Sequence, residues 1–385
     1  MPAVSSDSIR LRFFDLAMHK TSDSPAYTDL FKQMYARFQG NDTSANNALT
    51  VSIRAFPAGS ARQAIFEIND QSFPIDRSEV VEGYVYEQIL REIVARIESH
   101  LLIHAGAVST NGRGVILAGD SCHGKTTLVL ELVRRGFCFL SDETAALGRS
   151  DHFVHPFPRS LRIRPQTLAL TRLTAAAQSA KTWLDKLILD IEEIKPRCMG
   201  HAVPISHIIL LKNETDGEDD LTLPVTKTFV LNRLDNSLIL SLRGIDEIVS
   251  LYHTSDDNRH FLHVTATQIH TVDTRVRQAC KQFNARIIDA FGPSPKKPDF
   301  RATATLVPIS KSQAVRELLK KFQGGYQSAL LKNACRGNAI KLFTEAIRIV
   351  ADAECFQLQV GTLADMADLV CEICEHRTME LKDIA

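Results

Sequence analysis

The chain has 385 residues, 44% of them apolar and 23% charged, with a formal net charge of zero and a pI of about 7.2. That balance excludes a strongly basic partner surface, so neither nucleic acid nor an anionic membrane is expected as the main partner. No run approaches the ~18 apolar residues of a spanning helix, and the opening MPAVSSDSIRLRFF has no signal-like apolar core, so a cytoplasmic protein is expected.

In the first hundred residues SIRLRFF, ALTVSIRAF and QAIFEIND alternate with period two and predict strands. YTDLFKQMYARF predicts a helix, and Val81, Val85, Ile89, Ile93 and Ile97 predict a longer one. Residues 1–100 are thus read as an N-terminal α+β domain, suited to substrate recognition. LLIHAGAVST then reads as one buried strand and RGVILA as the next, followed by the loop GDSCHGKT. The helix TTLVLELVRR buries Leu128, Val129, Leu132 and Val133 and stops at Gly136, before the short strand FCFLS. Strand, glycine loop, helix, strand is the order of an α/β nucleotide-binding core.

Beyond Pro156 only HIILLK reads clearly as a strand, and residues 216–300 carry mixed signals. Order returns at TATLVPIS; Ser310 and Gln313 form a capping box for a helix carrying Val315, Leu318, Leu319 and Phe322. A helix, the strand CFQLQV and a last helix close the chain. That last helix holds Cys371 and Cys374, the only CxxC among eight cysteines. Reduced helix cysteines fit this pair better than a metal or redox site.

Gly119-Asp120-Ser121-Cys122-His123-Gly124-Lys125-Thr126 fits G-x-x-x-x-G-K-[ST] at every fixed position. Glycines let the backbone amides turn inward around a phosphate, and the following helix presents its positive end to the same anion. Lys125 reaches the outer phosphates, the Thr126 hydroxyl can ligate Mg2+, and Thr127 joins the nucleotide contacts. Cys122 and His123 are read as contributing backbone only. Asp142 and Glu143 end the strand FCFLS, where one carboxylate can hold magnesium and another can take a proton from an attacking hydroxyl. His104 alone, on an apolar strand, reads as a satisfied core histidine.

These residues bear a family likeness. HAGAV, GVILAGDSCHGKTTLVLELVRRGF and FLSDE resemble the catalytic domain of bacterial HPr serine kinase/phosphorylase and its kinase-like relatives. The resemblance implies an α/β fold with a phosphoenolpyruvate-carboxykinase-like P-loop core over residues 101–385, and an insertion near 216–300. It implies ATP and Mg2+ as cofactors, Lys125 on the β- and γ-phosphates, Thr126 and Glu143 on the metal, and Asp142 as general base with a share in the metal. His104 then sits against the transferring phosphate. Arg159 and Arg164, in HPFPRSLRIRP, become candidate cations at the phosphates, with a solvated strand edge as the plain alternative. No counterpart of the glycine- and glutamate-rich signature of true HPr kinases follows, so neither phosphorolysis nor HPr as acceptor is implied. The acceptor implied is a serine or threonine of a protein or peptide, including a biosynthetic precursor peptide, in a chain that self-associates. The competing readings are a small-molecule hydroxyl kinase and an ATP-binding regulatory or assembly module with weak ATPase activity; carboxykinase metabolism is a weaker third.

Overall fold

The computed structural model describes residues 7–40, 47–56, 64–69, 71–75, 89–120, 123–173, 180–183, 186–213, 225–256, 259–291, 299–321, 327–335 and 338–382. Val81 and Val85 lie outside these, as do Ser121 and Cys122 of the glycine loop.

The chain opens with β1 (Asp7–Phe13) and β2 (Leu16–Ser22), an antiparallel pair. Helix α1 (Pro25–Met34) crosses over to β3 (Asn47–Ala55), which runs parallel to β2, as a parallel pair requires. β4 (Ala64–Ile68) and β5 (Gln71–Ile75) complete a five-stranded sheet in sequential order. Leu16, Met18, Lys20 and Ser22 all face inward on β2. Lys20 is tolerated there because its ammonium lies over the Phe31 ring, 4.8 Å from the centroid. This sheet does not have a core to itself. Phe38 packs on Phe13 at 4.6 Å and on Phe157 at 5.1 Å, joining the first hundred residues to the chain beyond the glycine loop.

A second tie is the Phe14–Asp15 turn. Asp15 accepts from the amide of Glu98 at 3.0 Å and from the Ser99 hydroxyl at 2.5 Å. Phe14 stacks on the buried His100 ring at 3.5 Å. Burial, and then the neighbouring His155, push His100 down to about 4. His100 is therefore neutral in the fold at pH 7 but takes a proton more readily once unfolded. Stability present at neutral pH is lost as pH falls from about 6.5 toward 4, by on the order of 2–3 kcal/mol. Urea titrations at neutral and acidic pH should show this loss shrinking in His100→Gln; an equal loss in both proteins removes His100 as its source.

Helix α2 (89–96) leads into β6 (His100–Ile103), β7 (Ala105–Thr110) and β8 (Arg113–Gly119). The single strand expected over LLIHAGAVST is thus two, broken at His104. β6 pairs with one neighbour, whereas β7 turns to pair with β8. Then come α3 (Lys125–Arg134), β9 (Cys138–Ser141), β10 (Ala145–Gly148) and β11 (Phe153–His155). α3 buries Leu128, Val129, Leu132 and Val133 as its periodicity predicts, and Leu130 besides. β12 (Leu161–Ile163), α4 (Pro165–Leu170), β13 (Lys181–Trp183), β14 (Lys186–Leu189) and α5 (Ile191–Ile194) follow, the strands forming a small sheet in the order β12-β14-β13. β15 (Val203–Lys212) returns the chain to the centre.

Residues 225–291 then build β16 (Val225–Leu231), α6 (Asn236–Arg243), β17 (Ile248–Asp256), β18 (Arg259–Ala266), α7 (Ile269–Gln282) and β19 (Ile287–Phe291). Their sheet order, β17-β18-β16-β19 with every pair antiparallel, is that of a split βαβ unit. Phe229, Leu231, Leu262 and Val264 of the sheet and Val272 and Val276 of α7 form its own apolar core.

β20 (Thr305–Pro308), α8 (Lys311–Lys320), α9 (Gln327–Cys335), α10 (Ala339–Ala351), β21 (Glu354–Gln359) and α11 (Leu363–Lys382) end the described chain. The Ser310 hydroxyl caps α8 as expected, accepting from the Gln313 amide at 3.2 Å. The central sheet runs β6-β10-β11-β15-β8-β7-β9, with β21 on β15 and β20 on β21. β8, β15 and β21 are parallel and end level with one another at Gly119, Leu211 and Leu358. The carboxyl ends of such strands form the edge where ligands of open α/β sheets bind. No helix among the described residues is long and apolar enough to cross a membrane.

Candidate active site

The glycine loop leaves β8 at that edge and enters α3 through Gly124, which has φ of +80°. Only a residue without Cβ takes this conformation cheaply. Gly124 is also the N-cap, and it offers no side-chain cap. The amides of Lys125, Thr126 and Thr127, which open the helix, have no intrahelical acceptor and stand at the positive end of the dipole.

Lys125 is buried, and its Nζ donates to the carbonyl oxygens of Gly119 at 2.8 Å and Asp120 at 2.9 Å. The lysine therefore closes the loop on itself. His123 corrects the reading of backbone alone. Its fully buried ring accepts, at Nδ1, from the Asp120 amide at 2.9 Å, which puts the proton of a neutral ring on Nε2. The imidazole acts as an internal splint for the loop.

The break at His104 puts its ring within electrostatic reach of both Lys125 and Glu143. Burial and then the Lys125 ammonium push it down to about 3, so it is a neutral imidazole. Gly106, two residues on, keeps β7 tight against α3. A Cβ there would stand 2.7 Å from Val129 Cγ2 and 3.3 Å from the Asp142 carbonyl oxygen. β7, α3 and the end of β9 thus converge on one point.

Asp142 and Glu143 follow β9, and their surroundings split them. The Glu143 carboxylate accepts from Arg159 at 2.7 Å and has Arg162 at 3.6 Å. Burial raises Glu143, but the two guanidiniums outweigh it and hold the group well below the usual carboxylate range. No other side chain hydrogen-bonds the Asp142 carboxylate among the described residues, where its own backbone amide does. Burial, and then the Glu143 charge, push it up to about 6. One carboxylate is locked and ionised; the other is poised near neutrality.

Two site expectations are therefore redrawn. Arg159, expected on the phosphates, and Glu143, expected on the metal, are bound to each other; Arg159 is only 4% exposed. Arg164, at the N-cap of α4, is exposed, and Arg162 approaches the acids in its place. Sequence reasoning also missed Lys321, which follows α8. Its ammonium donates to the Asp120 carboxylate, 201 residues away in the chain. Burial raises the Asp120 carboxyl, but Lys321 outweighs it and the net shift is downward.

A magnesium ion has a reasonable donor set here. The Thr126 hydroxyl and the Asp142 carboxylate are hard oxygen ligands, and a cation beside Asp142 would offset the cost that raises its proton affinity. Glu143 is a poor ligand while Arg159 holds it. Cys371 and Cys374 lie on α11, where Cys374 is buried with its Sγ 4.0 Å from His207 Nδ1.

Comparison with known proteins gives distant likenesses. The HPr kinase/phosphorylase of Lachnoclostridium phytofermentans is 25% identical over 80 residues, which is 21% of this chain and 26% of that protein. The chain thus matches about a quarter of that relative's length. The structure of the Hpr(Ser) kinase/phosphatase from Coxiella burnetii is 18% identical, covering 33% of this chain and 75% of that one, with a TM-score of 0.22. No model of a known protein family matches the sequence. The relation to HPr kinase/phosphorylase is a loose one.

Proposed function

We propose that this chain is an ATP- and Mg2+-dependent phosphotransferase that moves the γ-phosphoryl group to a serine or threonine hydroxyl of a protein or peptide. The observation that carries the reading is the division of labour between Asp142 and Glu143 at the mouth of a lysine-closed glycine loop. A nucleotide-gated module needs the loop alone. A carboxyl raised toward neutrality beside one clamped by arginine is the arrangement that proton abstraction asks for.

In this reading the amides opening α3 and the Lys125 ammonium bind the polyphosphate. Thr126 and Asp142 hold magnesium, which when bound neutralises charge on the phosphate oxygens. The Asp142 carboxylate accepts the proton of the incoming hydroxyl. His104, neutral, can donate or accept a hydrogen bond beside the reacting groups without adding charge. Arg159 and Arg162 fix Glu143, keeping a second anion from competing for that proton. The acceptor is bound by parts of the chain away from the loop, with residues 1–100 and the 225–291 unit as the surfaces available.

The test is transfer of label from γ-labelled ATP to serine-containing peptides and small hydroxyl compounds, with Mg2+ present. Label in a peptide serine supports the proposal. Label in a small alcohol alone would redirect the acceptor class, and release of phosphate with no labelled acceptor at all would favour the nucleotide-gated module.

A further inference from the structure

We infer that Lys321 is a second cation of the polyphosphate cradle: the Asp120 carboxylate holds its ammonium at the loop, and a bound polyphosphate takes that ammonium over. The inference rests on the reading of the glycine loop as a phosphate site.

The geometry begins with α8. Glu317 on this helix accepts from Lys212 at 2.7 Å, at the very end of β15. β15 ends beside β8, with Leu211 opposite Gly119. Residues four apart share a helix face. Glu317 therefore grips the strand-end edge, and Lys321, one turn on, is carried to the loop that starts there.

Lysine is seldom buried, and burying its charge is costly without a good partner. Lys321 is 5% exposed. Its partner Asp120 has a side chain 55% exposed, yet Lys321 draws that carboxyl downward against burial, so the pair accounts for part of the cost of burying the ammonium. The location supplies a further reason. Lys125 donates to the carbonyl oxygen of Asp120 and Lys321 to its carboxylate, so two ammoniums flank one loop residue. His104 feels the charge of both. An anion entering between the α3 amides and His104 meets Lys125 first and lies within a side chain's swing of Lys321. Asp120 offers one negative charge and a polyphosphate several, so the exchange of partners is downhill.

The test uses the full-length protein and inorganic tripolyphosphate, with binding followed by calorimetry and folding by thermal melting. Lys321→Gln should weaken binding about ten- to a hundredfold, the size of one charge-assisted hydrogen bond. Asp120→Asn should tighten it, since an anion leaves the mouth of the loop. The loss on replacing Lys321 should persist in the Asp120→Asn background. The double variant carries neither charge of the pair, so its binding set against that of Asp120→Asn decides the matter if Lys321→Gln alone does not fold, with melting used to check that Asp120→Asn tolerates its unpartnered ammonium. Two results overturn the inference. One is unchanged binding in Lys321→Gln while Lys125→Met loses it. The other is a loss that vanishes once Asp120 is neutral, which makes Lys321 only a counter-charge. If Lys125→Met also binds as wild type does, the loop reading itself fails.

Discussion

Asp142→Asn is expected to lower phosphoryl transfer by about 10²- to 10⁴-fold, the usual worth of a positioned base, while affinity for metal-free ATP stays within a few-fold of wild type. The amide keeps the shape of the side chain and removes its basicity. Among the described residues the Asp142 carboxylate hydrogen-bonds only its own backbone amide, so little of the surrounding structure depends on its charge. Removing that charge relieves a cost, because burial and Glu143 both disfavour it. The variant should therefore melt no lower than wild type. A drop in kcat without a drop in Tm separates loss of the base from loss of the fold. Equal transfer by the variant removes Asp142 from the chemistry. Glu143→Gln should behave differently, since it leaves Arg159 buried without its carboxylate partner.

Lys125→Met should cost about a hundredfold or more in ATP affinity, from a charge-assisted contact to the outer phosphates. It should also destabilise the free protein. The Nζ of Lys125 donates to the carbonyls of Gly119 and Asp120; the latter also accepts from the His123 amide, but the buried Gly119 carbonyl left without the lysine costs about 1–3 kcal/mol. Methionine fills the volume but satisfies neither. Calorimetric titration with a non-hydrolysable ATP analogue reads the first effect and urea unfolding the second. Unaltered affinity would remove the lysine from nucleotide binding, whatever happens to stability.

What could be read from the sequence was what is local. The loop, its flanking strand and helix, Gly124 and the Asp142–Glu143 pair lie within one strand-helix-strand stretch, so their closeness follows from spacing. Lys321 and Arg162 could not be read. Lys321 reaches the loop only because Glu317 anchors α8 to the end of β15. Arg162 and Arg164 alternate alike on paper, but the strand stops at Ile163 and Arg164 turns outward as a helix cap. β2 escaped notice because Lys20 occupies an inward position, where its ammonium lies over the Phe31 ring. The strand break at His104 had no signal in LLIHAGAVST, where every residue suits a buried strand; the break is set by two different pairing partners. In residues 225–291 the bare sheet face mixes Tyr252, His263 and threonines, among them Thr226 paired with Thr265. That mixture hides the period-two alternation that marks a strand.

The most direct measurement is a crystal structure of the protein with Mg2+ and a non-hydrolysable ATP analogue. The expected result has the β- and γ-phosphates on the amides that open α3, within hydrogen-bond distance of Lys125 Nζ, and the γ-phosphate facing the Asp142 carboxylate. A nucleotide bound elsewhere, or an Asp142 carboxylate turned away from the γ-phosphate, would contradict the proposed chemistry.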